Sequence, residues 1–579
     1  MRSTTFFAFS LRLIPFLAPV VLGGFPEKIH GVNLGSWLVI EPWMLPQEWL
    51  DMGGMNNCAC QNATCIGSEA AFAQAYPDTV DATMQEHWDS WFNQDDVDAL
   101  ADAGINTVRI PLGYWLVEQL VDEDAGEIFP KGGMKALRRG LEQLNEAGIV
   151  AILDHHAVPG AQAVNQQFAG TCTPTPQFYT DYNFHRALIW TAVMTAISHV
   201  DPAFESVVSI QAVNEVVMDS SQTPGYGEFQ KNFVRTVRAV EVLLGLGLPD
   251  SAPAELSASI SISVSDSLKV KAKGDFSALL KGIKDMANIF TPEIRSVLID
   301  AFPILVEMNA IQPPFNCEHI ITNFMDVSWQ WGDAVANPDE AAIGPQAYDN
   351  HLYYVFGGVA DPNPDAYMRH ICSLDRVEKD LAKGNTPLFF GEWGLPVAFN
   401  ATDEFLRDWA DAQKRAYSKG KGWIFWNFKV EKSALAGDLA REWSYLEGVE
   451  RGYFTKDPAE LWNPDVCDPY MVPISSSASA PASASETASV SAPASTSDPA
   501  ETPEETTTTE QITTTTTITT TAATSSSAVS APESAESSVA DPTDDDATPE
   551  SSAADPEPTD VVADDSTRRR RSASRFFRF

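Results

Sequence analysis

Between about residues 25 and 472, short apolar segments alternate with amphipathic helical stretches, and this alternation constrains the fold more than any other feature. Strand-length runs parted by helices favour a parallel sheet, because each return to the same edge needs a crossover long enough to hold a helix. The candidate strands are 29–34, 105–110, 149–153, 207–213, 296–301, 347–353, 387–390 and 422–428. Helical periodicity falls on 134–147, 184–199, 227–244, 374–383 and 403–419. Eight such units predict an α/β fold, a (β/α)8 TIM barrel occupying 25–472 with an insertion around 247–292.

Polar residues interrupt the apolar pattern mostly at strand carboxyl ends. Arg109 lies on the second strand, His156 just after the third and Asn214-Glu215 after the fourth. His351 and Tyr353 close the sixth, Glu392 follows the seventh, and Trp426 lies on the eighth. In a parallel barrel these ends converge on one rim, where catalytic side chains gather. Taken singly, each glutamate reads as a solvated charge among 79 acids, and a lone His such as His155 as a packed residue. The joint placement is harder to explain by stability alone.

Outside the barrel segment the composition changes. Residues 473–579 are dominated by Ser, Thr, Ala, Pro, Asp and Glu, with threonine runs at 506–509 and 513–517. Such a segment cannot bury enough apolar surface to offset chain entropy, so it is predicted to be a disordered, acidic, O-glycosylated stalk. It ends in a basic aromatic tip, four arginines at 568–571 followed by SASRFFRF. That tip suits trimming by a protease, contact with an anionic surface, or no role.

The formal net charge is −41, and the tail's 18 acids against its six arginines leave about −29 before Ser475. That field repels nucleic acid and anionic polymers and suits a neutral substrate. Met1-Arg-Ser followed by the apolar run 6–22 reads as a signal peptide over 1–23, hence a secreted, extracellular or wall-bound protein. No other segment approaches a spanning helix. Seven cysteines in that setting predict two or three disulfides of unknown pairing. Cys58, Cys60 and Cys65 lack a nearby fourth ligand for zinc. Asn62-Ala-Thr and Asn400-Ala-Thr are N-glycosylation sequons expected on surface loops.

Several motifs carry a resemblance: Gly31-Val-Asn-Leu-Gly-Ser-Trp-Leu-Val-Ile-Glu-Pro-Trp, Val108-Arg-Ile-Pro, Asp154-His-His-Ala-Val-Pro-Gly-Ala-Gln, Val213-Asn-Glu, His351-Leu-Tyr, Gly391-Glu-Trp and Gly422-Trp-Ile-Phe-Trp. In that order over 29–454, they resemble the fungal glucanases of glycoside hydrolase family five. The resemblance implies a barrel, no cofactor or metal, a β-glucan partner and retaining hydrolysis; a monomer is expected. It casts Glu215 as acid/base and Glu392 as nucleophile, supported by Arg109, Asn214, His156, His351 and Tyr353. Trp426, Trp37, Glu41 and Trp329 would bind sugar, with Trp43, Trp115 and Trp331 as further aromatic candidates.

Two positions depart from the family pattern. Val216 stands where Pro usually follows the acid/base, and Pro would fix that backbone angle. Ala157 stands where Gly commonly follows His156. Hydrolysis of β-1,6- or β-1,3-glucan is the leading expectation, and the 38–43 stretch with the 58–65 insertion leans towards β-1,6. A β-glucan transglycosylase and a non-catalytic wall glucan-binding protein are the alternatives.

Overall fold

The computed structural model describes residues 24–471 except 63, 250–289, 326 and 331–342. The predicted signal segment, most of the insertion, Trp331 and the tail lie outside the described residues.

Eight strands close a barrel in chain order: β1 (Ile29–Asn33), β2 (Thr107–Gly113), β3 (Val150–Ala157), β4 (Val207–Gln211), β5 (Ile321–Phe324), β6 (Gln346–Leu352), β7 (Leu388–Trp393) and β8 (Gly422–Phe425). Every neighbouring pair is parallel, including β8 with β1. Ile29, Ile152, Ile321, Ala347, Phe389 and Ile424, from six strands, form an apolar cluster of their own, as a packed barrel interior requires.

The helices form because one face of each is apolar. In Gly133–Glu146 the buried residues Ala136, Leu137, Gly140, Leu141 and Leu144 recur at helical spacing. Gly140 is needed for close approach, since a Cβ there would lie 2.4 Å from the Trp37 ring. Trp37 is fully buried, packs at 4.7 Å on Phe92 and donates Nε1–H to the Trp88 carbonyl. It is therefore a core residue and not the sugar-binding residue expected above. Trp115, stacked at 4.2 Å on Phe129, is likewise core.

The expected fifth strand at 296–301 is overturned. Those residues lie inside a helix, Pro292–Glu307, and β5 begins at Ile321. The reason is visible locally. Thr291 accepts the Ile294 N–H as an N-cap, Pro292 sits at the first turn, and Ile294, Val297, Leu298 and Ala301 are buried at helical spacing. The true β5 is four residues long and half polar, which disguised it.

Three disulfides join Cys58–Cys65, Cys60–Cys172 and Cys372–Cys467, leaving Cys317 exposed and unpaired. Cys60–Cys172, Gln61 to Asn165 (3.1 Å) and Gln167 to the Gly67 carbonyl (2.9 Å) fasten the segment between β1 and β2 to the loop after β3. Among the described residues no helix is long and apolar enough to cross a membrane. Asn62 and Asn400 are both exposed.

Candidate active site

Arg109, from the middle of β2, is fully buried and uses its whole guanidinium. Nη1 donates to Glu392 Oε1 (2.8 Å) and Asn33 Oδ1 (2.9 Å), Nη2 to Asn214 Oδ1 (2.7 Å), and Nε to Gln211 Oε1 (2.9 Å). Asp154 Oδ2 lies 3.0 Å from Nη2 and Asp349 Oδ2 3.7 Å from Nε. A buried cation survives only when paired in this way. Burial would raise Asp154, but Arg109 and His156 outweigh it and hold that carboxyl below the usual range.

β7 extends through Glu392, further than the sequence suggested, and delivers that side chain to the Arg109 fork. Tyr353 donates its O–H to Glu392 Oε2 at 3.0 Å. Burial and the adjacent carboxylates push the phenol well above 10, so it remains a donor. Burial also pushes Glu392 above the ordinary carboxylate range, while His351 and Arg109 pull it back.

Glu215 follows β4 with φ +40, a left-handed conformation that costs a non-glycine residue energy and must be held by its surroundings. Several contacts hold it. Trp329 Nε1–H donates to the Val216 carbonyl (2.8 Å), and the Val217 N–H donates to Tyr179 Oη (3.0 Å). Gln162 Nε2 donates to the Asn214 carbonyl (3.0 Å), and the Asn214 N–H to the His155 carbonyl (3.2 Å). The backbone restraint that proline would supply at 216 is provided here by hydrogen bonds on either side.

His351, on β6, joins the two glutamates. Its Nδ1 lies 2.8 Å from Glu215 Oε1 and 3.4 Å from Glu392 Oε2. Burial works against a charged ring, yet Glu392 and Asp349 push its pKa up to about 10. One ligand atom from each of Glu215, His351 and Glu392 lies within 4.8 Å of the other two.

The remaining expected residues gather around this pair. His156 lies inside β3, where Asp154 takes its Nδ1 (2.5 Å), and Trp426 lies parallel to its ring at 5.7 Å. Its Nε2 has no protein partner. Glu41 accepts from Trp43 Nε1 (2.8 Å), and burial raises it to about 7, with Glu392 and Glu215 adding to the rise. Trp329 meets His351 edge to face at 5.6 Å, so its indole supports both His351 and the Glu215 loop. The His155 ring stacks at 3.9 Å on Trp190, and neither of its nitrogens has a well-aligned hydrogen-bond partner among the described residues.

Sequence reasoning quoted Asp154 and Gln162 within a motif without giving them a role, and missed Asp349, Tyr179 and Phe168, whose ring meets His156 at 5.4 Å. A signal existed for the two aspartates, since each is a charge within an apolar strand.

The family described as Cellulase (glycosyl hydrolase family 5) matches residues 74–242. The probable glucan endo-1,6-beta-glucosidase B of Neosartorya fischeri is 31% identical over 455 residues, covering 76% of this chain and 90% of that protein. The chain belongs to glycosyl hydrolase family 5. Glucan endo-1,6-beta-glucosidase B of Emericella nidulans is 30% identical over 454 residues, covering 76% and 88%. The probable glucan 1,3-beta-glucosidase A of Aspergillus fumigatus is 34% identical over 134 residues, or 23% and 29% of the two chains. With this membership and its paired carboxyls, Glu392 buried and Glu215 half-buried, the family 5 chain is a glycoside hydrolase.

Proposed function

We propose that the protein is a secreted, retaining β-glucanase that cuts β-1,6-glucan, with Glu392 as nucleophile and Glu215 as acid/base. One observation carries the mechanism: an oxygen of each glutamate lies within 4.8 Å of the other, with His351 between them. Retaining enzymes need carboxyls about 5–5.5 Å apart, whereas inverting enzymes leave room for a water at about 6.5–9.5 Å. The preference for β-1,6 linkages rests on likeness along nearly the whole length of the endo-1,6 enzymes, against a short stretch of the 1,3 enzyme.

In this reading Glu392, aligned by Arg109 and Tyr353, attacks the anomeric carbon while Glu215 protonates the departing oxygen. A water activated by Glu215 then releases the sugar with its configuration retained. Arg109 occupies Asn214 Oδ1, leaving the amide nitrogen for the sugar 2-hydroxyl. His156 Nε2, Glu41 and the Trp426 face complete the sugar site. Secretion accords with three disulfides and two exposed sequons. A cleaved leader over 1–23 and a glycosylated stalk beyond 473, holding the monomer at the wall, belong to the same proposal.

Incubation with linear β-1,6- and β-1,3-glucans, alongside Glu392→Gln and Glu215→Gln, tests this. Release from β-1,6-glucan by the unmodified protein alone supports it. Binding without release refutes catalysis, preferential cleavage of β-1,3-glucan refutes the linkage, and longer products reveal transfer.

A further inference from the structure

Asp349, two residues before His351 on β6, is absent from the mechanism above, yet its carboxylate touches both strands that deliver catalytic groups. The β6–β7 ladder shifts register here, pairing Asn350 with Phe390 and then His351 with Glu392, so Gly391 is skipped. A bulge leaves its extra residue without a ladder partner. Asp349 supplies one, its Oδ1 accepting the Gly391 N–H at 2.7 Å. Gly391 has to be glycine for that contact, since a Cβ would lie 2.2 Å from the same oxygen.

The other carboxylate oxygen has a different task. Asp349 Oδ2 and His351 Nε2 are buried, neither has a well-aligned hydrogen bond, and they face each other at 3.5 Å. Among the described residues, the imidazole ring nitrogens face three carboxylates: Glu215 and Glu392 at Nδ1, Asp349 at Nε2. Behind them stand Arg109, 3.7 Å from Asp349, and Asp154, which His351 also influences. A neutral imidazole offers one N–H and one lone pair, so it would set the lone pair against ionised Asp349 at Nε2 or towards ionised Glu392, 3.4 Å from Nδ1.

We propose that Asp349 is a positioning residue that keeps His351 doubly protonated, so that its Nδ1 stays a donor to Glu215 and cannot take the catalytic proton. A ring already carrying both protons cannot take a third, so Glu215 can pass its proton only to the leaving oxygen. The same cation balances Glu392 while it waits to attack. Without the Asp349 charge, Nδ1 becomes a base competing for that proton. The inference rests on Glu215 and Glu392 being the catalytic pair, but it has a readout independent of activity.

The substitution Asp349→Asn retains an oxygen for the Gly391 N–H, removes the charge and turns the acceptor facing His351 Nε2 into an N–H donor. It should lower kcat by about 10- to 100-fold, in line with loss of other outer-sphere partners, with KM changed less than about twofold. The alkaline limb of the rate profile should move to lower pH, because His351 then loses its proton more easily. The 15N shifts of the unmodified protein, with His351 assigned by its loss in His351→Gln, should show both ring nitrogens protonated at neutral pH. A neutral His351 there overturns the proposal, whether or not the variant folds and whether or not the chain cleaves glucan. Uniform loss of activity at all pH, or an Asp349→Asn enzyme with unmoved limb and unchanged kcat, also overturns it.

Discussion

Replacing Arg109 by methionine should expose how much of the barrel's stability is tied to its active centre. Methionine fills much of the same volume but leaves Glu392, Asp154 and Asp349 buried without the cation they share. Removing one partner of a buried ion pair typically costs about 3–5 kcal/mol, because the remaining charge keeps its desolvation penalty. Three carboxylates around one guanidinium place the expected loss at the upper end, about 5 kcal/mol at neutral pH.

The sign of the pH dependence follows from Asp154. Its folded pKa is depressed, so its contribution is complete above the unfolded aspartate value and fades as pH falls through the folded one. In Arg109→Met that contribution is gone. The gap between the two proteins should therefore be widest near neutrality and narrow below the ordinary carboxylate range, where the stranded acids can protonate. Urea unfolding at a series of pH values measures it. A deficit under about 1 kcal/mol, or one that does not shrink in acid, would refute the assignment of Arg109 as the shared counter-charge.

Three other outcomes follow from individual contacts. Trp329→Phe removes the donor to the Val216 carbonyl, worth about 0.5–1.5 kcal/mol, so kcat should fall roughly 2- to 10-fold with KM little changed. Steady-state kinetics check it; a rise in KM alone would return Trp329 to the sugar-binding role. Glu41, raised to about 7, is neutral in acid and charged in alkali, and Glu41→Gln should remove whatever change in KM occurs near that pH. Among the described residues, buried Glu69 has the Ile40 N–H and Trp115 Nε1–H as donors, and burial raises it to about 8. Its folded pKa exceeds the unfolded value, so stability should decline as pH rises towards 8, and Glu69→Gln should flatten that decline in thermal melts.

Much of this site was legible because a barrel collects strand ends that are far apart in the chain. Arg109, Glu215, His351, Tyr353 and Glu392 stood out as polar interruptions at matching points of successive units, and all five meet in one hydrogen-bonded cluster. Aromatic residues were ambiguous for a physical reason. An indole fills a core and a sugar subsite equally well, and only the folded packing shows Trp37 wedged against Gly140 and Phe92 and Trp426 lying beside His156. The fifth strand failed because its apolar run was shorter and more polar than the helix before it. What restrains the backbone at Val216 in place of proline is not visible among its chain neighbours, since Trp329 and Tyr179 reach it from distant segments. Disulfide pairing was equally hidden, because the closure of Cys60 on Cys172 depends on the folded rim.

The division of labour between the two glutamates is tested most directly by trapping the covalent intermediate. A 2-deoxy-2-fluoro-β-glucosyl fluoride slows both steps but carries a good leaving group, so the glycosyl-enzyme should accumulate and survive peptide mapping. The label should sit on Glu392, and Glu215→Gln should still become labelled because the leaving group needs no proton. A label on Glu215 or Glu41, or a first product of inverted anomeric configuration, would contradict the account.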